Sequence, residues 1–301
     1  MNAFSPQNML GGEEHAKTDL GKGIKQVVLG KLVRALVSGG DAQSSQPRTA
    51  EGERIYVIGD IHGRLDLLTE LLEKIEEHAS RLPEVRTQHV ILLGDLIDRG
   101  RESAQVIDYV HHVQSQTDEL VVLMGNHEEL MLRALNGEQG VFRAWMRIGG
   151  DATLRSFGLE PPPRGGDYDL YARRFAATVP PAWVAWMSRL PLSARSGDYF
   201  FCHAGVRPRV PLKRQKKADL LWIRDEFLDD REDHGAVIVH GHSIADEVEH
   251  FGNRIGIDTG AYRTGVLTAM YLEGDRQAIL ATGVRANRAD RDILTLTDSI
   301  P

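Results

Sequence analysis

The chain has 301 residues, of which 42% are hydrophobic and 26% are charged. A globular chain of this size and composition can bury a stable core without disulfides or structural metal ions. The formal net charge of −7 disfavours nucleic-acid binding, because a phosphate backbone requires a basic surface. The single cysteine, Cys202, excludes an internal disulfide and favours a reducing compartment, so we expect a cytoplasmic protein with neither a secretory signal nor a transmembrane segment.

Residues 1–53 are expected to form an N-terminal arm outside the catalytic domain. Between residues 24 and 37, apolar side chains recur at helical spacing and are flanked by lysine and arginine, which predicts a short amphipathic helix. Such a helix could dock on a membrane surface or on a partner. Its shortness and Gly30 favour instead a helix packed on the domain or a partly disordered arm.

From residue 54 onwards, the sequence repeats a pattern of strand, glycine, polar residue and helix. Apolar runs at 55–58, 90–93 and 120–124 each end at a glycine, and helices are predicted at about 64–79, 102–113 and 128–135. This alternation is typical of an α/β fold with buried strands. Functional sites in such sheets gather beyond the carboxyl ends of the strands, where Asp60, Asp95 and Asn126 stand.

The remainder of the chain is less regular. Residues 161–166 predict a loop, and Trp183, Trp186 and Met187 predict a helix over 180–190 that either packs on the core, which we favour, or faces the substrate. Short strands at 198–202, 236–239, 248–251, 265–272 and 277–282 predict a second, mostly antiparallel sheet. The polar residues 286–301 are expected to be a tail, which leaves 54–285 as the catalytic domain.

Five short motifs carry side chains that can bind metal ions: 59–63 (GDIHG), 94–100 (GDLIDRG), 125–128 (GNHE), 203–205 (HAG) and 240–242 (HGH). They offer oxygen and nitrogen donors without thiolate, a set that suits Mn, Fe, Zn or Co. Two ions about 3.5–4 Å apart can clamp an in-line displacement and generate a bridging hydroxide nucleophile. The predicted ligands are Asp60, His62 and Asp95 for the first ion and Asp95, Asn126, His203 and His240 for the second.

The role of His242 stays open at this stage. It follows His240 by two residues and could be a ligand, a structural hydrogen-bonding residue or a residue that contacts the ligands without binding the metal. We interpret it as the last of these.

Catalytic side chains are predicted next to the ligands. His127 directly follows a ligand and is expected to be the general acid that protonates the leaving oxygen, with Asp98 orienting it. Arg99 offers a fork of donors suited to phosphate oxygens. Because charge spreads over several phosphoryl oxygens in the transition state, a second arginine is expected, and Arg224 is the candidate.

Together these motifs resemble the phosphoprotein phosphatases within the calcineurin-like metallophosphoesterase superfamily. The resemblance covers residues 54–282 and is strongest to the short bacterial and phage lambda-type members, through Trp222, Arg224 and residues 253–261 (NRIGIDTGA). It implies a four-layer α/β/β/α sandwich, the ligand and catalytic roles given above, and two divalent ions. Manganese is expected, and Fe, Zn, Ni, Co and Mg are alternatives. Ser243 and Ala204 depart mildly from the family pattern without removing a ligand.

The leading interpretation is a serine/threonine protein phosphatase that acts on phosphorylated proteins or on small phosphoesters. A related bacterial group with similar motifs performs symmetrical dinucleoside tetraphosphate hydrolysis, which is the alternative. A third hypothesis is a scaffold protein without catalytic activity. Nothing in the sequence supports it, since every expected ligand and catalytic group is present.

Overall fold

The computed structural model describes residues 46–283. The helix predicted at 24–37 and the tail predicted at 286–301 lie outside these residues. Ten strands form two mixed sheets of five strands each, and helices cover their outer faces. The expectation of an α/β sandwich is confirmed.

The first sheet has the strand order β10-β9-β1-β2-β3. Strands β1 (Glu53–Ile58), β2 (Thr87–Leu92) and β3 (Leu120–Val122) run parallel. Strands β9 (Thr268–Glu273) and β10 (Arg276–Ala281) join antiparallel at the β1 edge. The apolar runs of β1 and β2 pack on both faces, as buried parallel strands require.

The second sheet has the order β4-β5-β6-β8-β7 and contains β4 (Ser193–Ser196), β5 (Tyr199–Cys202), β6 (Val237–His240), β7 (Glu249–His250) and β8 (Arg254–Gly256). Strands β5, β6 and β8 are parallel, so the prediction of a mostly antiparallel sheet was wrong. The strands expected at 265–272 and 277–282 belong to the first sheet. Short apolar runs indicate strands but do not encode their partners or direction.

Between residues 46 and 283, eight longer helices and two very short ones connect the strands. They are α1 (Leu65–Ser80), α2 (Ser103–Gln114), α3 (Asn126–Leu135), α4 (Val141–Trp145), α5 (Asp151–Ser156), α6 (Tyr168–Thr178), α7 (Pro181–Met187), α8 (Lys217–Trp222), α9 (Asp225–Leu228) and α10 (Ala261–Thr264). A π-turn (Met146–Gly150) joins α4 to α5, and a 3-10 turn spans Leu212–Arg214.

Three apolar clusters define the four layers. Val57 and Ile91 of the first sheet pack against Phe201 and Val239 of the second. The opposite face of the first sheet packs against α1, α2, α3 and α7, and Met187 of α7 is buried there, which confirms the packing interpretation of that helix. Phe200, Cys202 and Ile238 on the outer face of the second sheet pack against α8 and α9.

Residues just before β1 hydrogen-bond to hairpin turns of both sheets. The Thr49 amide donates to the Gly274 carbonyl (3.0 Å), and the Asp198 amide donates to the Arg48 carbonyl (2.8 Å). Within the described residues, no helix is both long and apolar enough to cross a membrane.

Candidate metal centre and active site

Six polar side chains converge where the carboxyl ends of β1, β2, β3, β5 and β6 meet. Each follows one of those strands directly or after a short turn, and each is more than nine-tenths buried. They are Asp60, His62, Asp95, Asn126, His203 and His242.

One group of donors surrounds His62. Its Nδ1 lies 2.8 Å from the Ile97 carbonyl, which can only accept, so Nδ1 carries the proton and Nε2 has a free lone pair. Nε2 is buried without a hydrogen-bond partner among the described residues, 3.6 Å from an Asp95 oxygen and 4.0 Å from an Asp60 oxygen. Burial raises the pKa of both carboxyl groups, because a charge removed from water is costly without a counter-charge.

A second group surrounds His203. Its Nδ1 donates to the Leu93 carbonyl (3.0 Å), so Nε2 is an acceptor, yet it lies 2.7 Å from Asn126 Oδ1, which is also an acceptor. Nδ1 of His242 is 2.9 Å from the same oxygen, and the other Asp95 oxygen lies 3.4 Å from His203 Nε2. Two acceptors in contact are stabilised by a cation between them, so this donor set fits a divalent metal ion.

The structure does not bring His240 to either group. His240 Nδ1 lies 3.0 Å from the Gly241 carbonyl, Nε2 faces the Arg254 guanidinium at 3.4 Å, and the ring packs edge-on against Phe227. His242 stands where His240 was expected to bind. His240 is the last residue of β6 and its side-chain direction is set by the strand, whereas the chain turns before His242 and re-aims its side chain.

Residues with a left-handed backbone conformation cluster at the same site. Among the described residues, six that are not glycine have positive φ, and Arg209 alone lies outside the site. Each such residue costs on the order of 1–3 kcal/mol and persists only where its surroundings hold it. The five at the site are His62, Asp95, Asp98, Arg99 and His242.

Glu128 helps to hold this strained backbone, a role that the sequence did not suggest. It is fully buried, and its carboxylate accepts hydrogen bonds from the amides of Asp95 (2.9 Å), Leu96 (2.8 Å) and Gly125 (2.9 Å). Burial raises the pKa of Glu128 to about 7, while the amide donors oppose that shift. Its place in the 125–128 motif was the one available signal.

The loops that follow β2 and β3 touch through glycines. Gly94 has φ of +97°, and a Cβ there would lie 2.4 Å from the amide nitrogen of Gly125. Only glycine permits this conformation together with this approach. The close contact brings Asp95 next to the first turn of α3, where the His127 amide donates to Asp95 Oδ1 (3.0 Å).

His127 and Asp98 form a buried pair, with 2.6 Å between His127 Nδ1 and Asp98 Oδ2. Trp145 Nε1 (2.7 Å) and Thr153 Oγ1 (2.6 Å) also donate to Asp98, which favours its carboxylate form although burial raises the pKa of Asp98 to about 7. Burial, reinforced by Arg99, lowers the pKa of His127 to about 3. Trp145 and Thr153 come from the irregular stretch that the sequence did not connect with the site.

Two arginines stand beside the donor groups. Arg99 donates from its amide to the Gly149 carbonyl (3.1 Å), and its guanidinium lies 3.3 Å from His127 Nε2 and 4.8 Å from the ring centre of Tyr262. Arg224 is exposed just before α9. Burial is the main cause of the lowered pKa of His203; neighbouring histidines lower it further, and the positive charge of Arg224 adds a smaller effect. Arg99 therefore contacts the cluster, and Arg224 is near enough for its charge to act on it.

The sequence model of a family described as calcineurin-like phosphoesterase matches residues 53–266. That range contains every side chain of the site.

Relatives with named activities include serine/threonine-protein phosphatases and both symmetrical and asymmetrical bis(5'-nucleosyl)-tetraphosphatases. The asymmetrical enzyme of Bacillus thuringiensis is 25% identical over 232 residues, which are 71% of this chain and 88% of that protein. Serine/threonine-protein phosphatase 2 of Salmonella typhimurium is 27% identical over 226 residues, which are 71% of this chain and 90% of that protein. The symmetrical bis(5'-nucleosyl)-tetraphosphatase of Vibrio campbellii is 29% identical over 153 residues, which are 51% of this chain and 45% of that protein. The chain thus aligns with about half the length of the tetraphosphatase.

A solved structure described as a putative diadenosine tetraphosphatase superposes with a TM-score of 0.52 and 18% identity, covering 79% of this chain and 99% of that chain. At this identity the similarity concerns the fold.

Proposed function

Because the chain belongs to the calcineurin-like phosphoesterase family, we propose that it is a phosphomonoesterase with two divalent metal ions that removes phosphate from phosphoserine and phosphothreonine in proteins. The observation that carries the proposal is the pair of donor groups joined by Asp95, one oxygen of which faces His62 and the other His203. A buried pair for proton transfer and Arg99 stand beside them, and the charge of Arg224 acts on His203.

The metal ions would be held by this chain's buried donors. Asp60, His62 and Asp95 would hold the first; Asp95, Asn126, His203 and His242 would hold the second, with His242 replacing His240 in the predicted set. Manganese is the expected metal, and the donor set also accommodates Fe, Zn, Ni, Co or Mg. When bound, two ions supply a Lewis acid and a water nucleophile activated at neutral pH.

The chain's own residues carry the remaining steps. Arg99 and Arg224 bind phosphoryl oxygens and offset the charge that spreads over them in the transition state. His127 can deliver a proton from Nε2 to the leaving oxygen of the serine or threonine side chain once its ring is doubly protonated, a state that the Asp98 carboxylate beside Nδ1 favours and that burial opposes. Asp98, held by Trp145 and Thr153, accepts from His127 Nδ1 and keeps the ring oriented.

Two alignments of nearly full length bear on the substrate. One covers 90% of the Salmonella phosphatase at 27% identity, and the other covers 88% of the asymmetrical bis(5'-nucleosyl)-tetraphosphatase of Bacillus thuringiensis at 25% identity. The choice of a phosphomonoester rests on the slightly higher identity of the first; the alignment with the Vibrio tetraphosphatase covers only 45% of that protein. Hydrolysis of dinucleoside tetraphosphates remains the second candidate. The Vibrio tetraphosphatase is 29% identical over 153 residues, whereas the Salmonella phosphatase is 27% identical over 226 residues. A cytoplasmic location is part of the proposal and rests on the single, buried cysteine.

The two candidates differ in their products. The Mn²⁺-loaded chain would be incubated with phosphoserine and phosphothreonine peptides and, separately, with diadenosine tetraphosphate. We expect inorganic phosphate from the peptides at a kcat/KM well above that for the dinucleotide. Release of nucleoside diphosphate as the faster reaction would contradict the choice of substrate. Asp95→Ala, which loses the shared ligand, is the inactive control.

A further inference from the structure

Trp222, at the end of α8, exposes a large apolar surface beside the site. It is 38% exposed, and Phe251, at 37%, is the other large apolar side chain that is exposed among the described residues. The Phe251 ring is covered by the guanidinium groups of Arg231 and Arg254, each 4.2 Å from its centre. Within the same part of the chain, no cation covers the ring of Trp222. Tryptophan combines an apolar ring with a polar N–H group and is enriched at binding interfaces.

The ring of Trp222 is held in one orientation. Its Nε1 donates to Glu129 Oε2 at 2.6 Å, and the other Glu129 oxygen lies 3.1 Å from the ammonium group of Lys217. The Glu129 side chain is only 14% exposed. Because these contacts fix the indole when the protein folds, a ligand that stacks on it does not have to order it.

Trp222 lies directly beside the second donor group. Its ring centre is 6.5 Å from that of His242, and the two ring planes meet at 79°. Arg224, the proposed second phosphate-binding arginine, follows two residues later in the chain. A phosphate held at the site would therefore place its substituent within reach of the indole.

We infer that the exposed face of Trp222 stacks on a flat aromatic ring carried by the substituent of the phosphate. The ring could belong to an aryl phosphate or to the base of a nucleotide, since both present a flat π-face. This inference rests on the metal and phosphate site of the proposed function and revises its substrate, because the side chains of phosphoserine and phosphothreonine carry no ring and a ring-bearing phosphoester would bind more tightly at the same site. It makes Trp222 a specificity-determining residue, whereas Arg99 and Arg224 bind the phosphate common to all substrates.

Binding of non-hydrolysable phosphonates tests the inference without requiring turnover. Isothermal titration calorimetry on the Mn²⁺-loaded protein would compare phenylphosphonate with methylphosphonate. A second pair, methylenediphosphonate with and without an attached adenosine, would test a nucleobase. For at least one pair, we expect the ring-bearing ligand to bind roughly three- to tenfold more tightly, as aromatic stacking provides. The pair that shows the gain identifies the source of the ring.

Two variants separate stacking from an indirect effect on the site. Trp222→Leu should abolish the gain, and Trp222→Phe should retain most of it, while the ligands without a ring bind all three proteins equally. Equal affinity of ringed and ringless ligands for the wild type would overturn the inference. So would an equal loss for both ligands in Trp222→Leu, because that result assigns Trp222 to the positioning of Arg224. Failure of the proposed hydrolysis leaves these binding ratios unchanged and is therefore distinguishable.

Discussion

Two histidines separated by a single glycine lie in different surroundings. His242 has positive φ and presents Nδ1 to Asn126 and His203, whereas His240 is buried between Phe227 and Arg254. Burial lowers the pKa of both imidazoles, so the neutral form that a metal ligand needs is favoured at each. Geometry, rather than protonation, is therefore the ground on which we propose His242 as the ligand.

Replacing each of these histidines provides a matched pair of variants. We expect His242→Ala to retain about one Mn²⁺ per chain in place of about two, as loss of one ligand from a two-metal site implies. His240→Ala should retain the wild-type Mn²⁺ content, although a cavity lowers its stability. Elemental analysis after gel filtration measures both, and circular dichroism checks that each variant is folded. Loss of Mn²⁺ in His240→Ala with full content in His242→Ala would reverse the assignment.

His127 is proposed to supply the proton to the leaving oxygen. His127→Asn should lower turnover by roughly 10²- to 10⁴-fold for an alkyl phosphate, because an alkoxide leaves poorly without a proton. The loss should be much smaller for p-nitrophenyl phosphate, whose leaving group needs no proton, and bound Mn²⁺ should be unchanged. Steady-state kinetics on the two substrates provide the measurement. Equal losses on both would contradict the acid role and indicate a structural one.

Among the structural elements, the π-turn Met146–Gly150 supports the predicted phosphate-binding arginine. Gly149 has φ of +119° and its carbonyl accepts from the Arg99 amide, while a Cβ on Gly149 would lie 2.8 Å from that same nitrogen. The turn and the two helices beside it also deliver Trp145 and Thr153 to Asp98. This stretch therefore positions Arg99 and Asp98, two side chains with proposed catalytic roles.

Gly149→Ala should weaken inhibition by inorganic phosphate, because the added methyl group displaces Arg99. Gly158→Ala is the matched control, since Gly158 also has positive φ (+76°) but nothing lies within 4 Å of its added Cβ. Both variants should lose about 1–2 kcal/mol of stability through the left-handed backbone. The inhibition constant for phosphate should rise only in Gly149→Ala. An equal rise in the two variants would contradict the role of the turn.

Helix α1 packs on the first sheet through a titratable contact. The Tyr56 hydroxyl lies 2.8 Å from His78 Nδ1, and burial, followed by the charge of Arg54, lowers the pKa of His78 below its ordinary value. The folded state therefore disfavours the protonated form. This contribution to stability is complete above about pH 6.5 and is lost as the pH falls from there towards the folded pKa.

Urea unfolding in EDTA at pH 7.5 and pH 5.5 measures this contribution. The wild type should lose more free energy of unfolding on acidification than His78→Gln, which keeps a polar partner for Tyr56 but does not titrate. The remaining histidines contribute equally to both proteins and cancel in the difference. Identical pH dependence in the two proteins would show that His78 titrates alike in the folded and unfolded states.

The sequence predicted elements better than it predicted their partners. Strands β1, β2 and β3 and the helices after them were predicted within a few residues, because apolar period and terminal glycines are local signals. The attachment of β9 and β10 to the first sheet was missed, because pairing depends on contacts far apart in sequence. Trp145, Thr153 and Glu128 were missed for the same reason, since their partners are fixed only by the tertiary fold.

At the scale of the whole molecule, the site lies where the two sheets meet. The loops of the first sheet supply Asp60, His62, Asp95 and Asn126, and the loops of the second supply His203 and His242. Neither sheet alone provides both donor groups. The apolar layer between the sheets therefore sets the separation of the ligands, and in the part of the chain that the structure describes, Asp95 is the one side chain whose oxygens face both histidine groups.

The central claim is that two metal ions share Asp95. Electron paramagnetic resonance of the Mn²⁺-loaded protein tests it most directly, because two Mn²⁺ ions about 3.5–4 Å apart interact magnetically. We expect an exchange-coupled spectrum at about two Mn²⁺ per chain, and its loss in Asp95→Ala. A spectrum of isolated, uncoupled Mn²⁺ at full loading would contradict it.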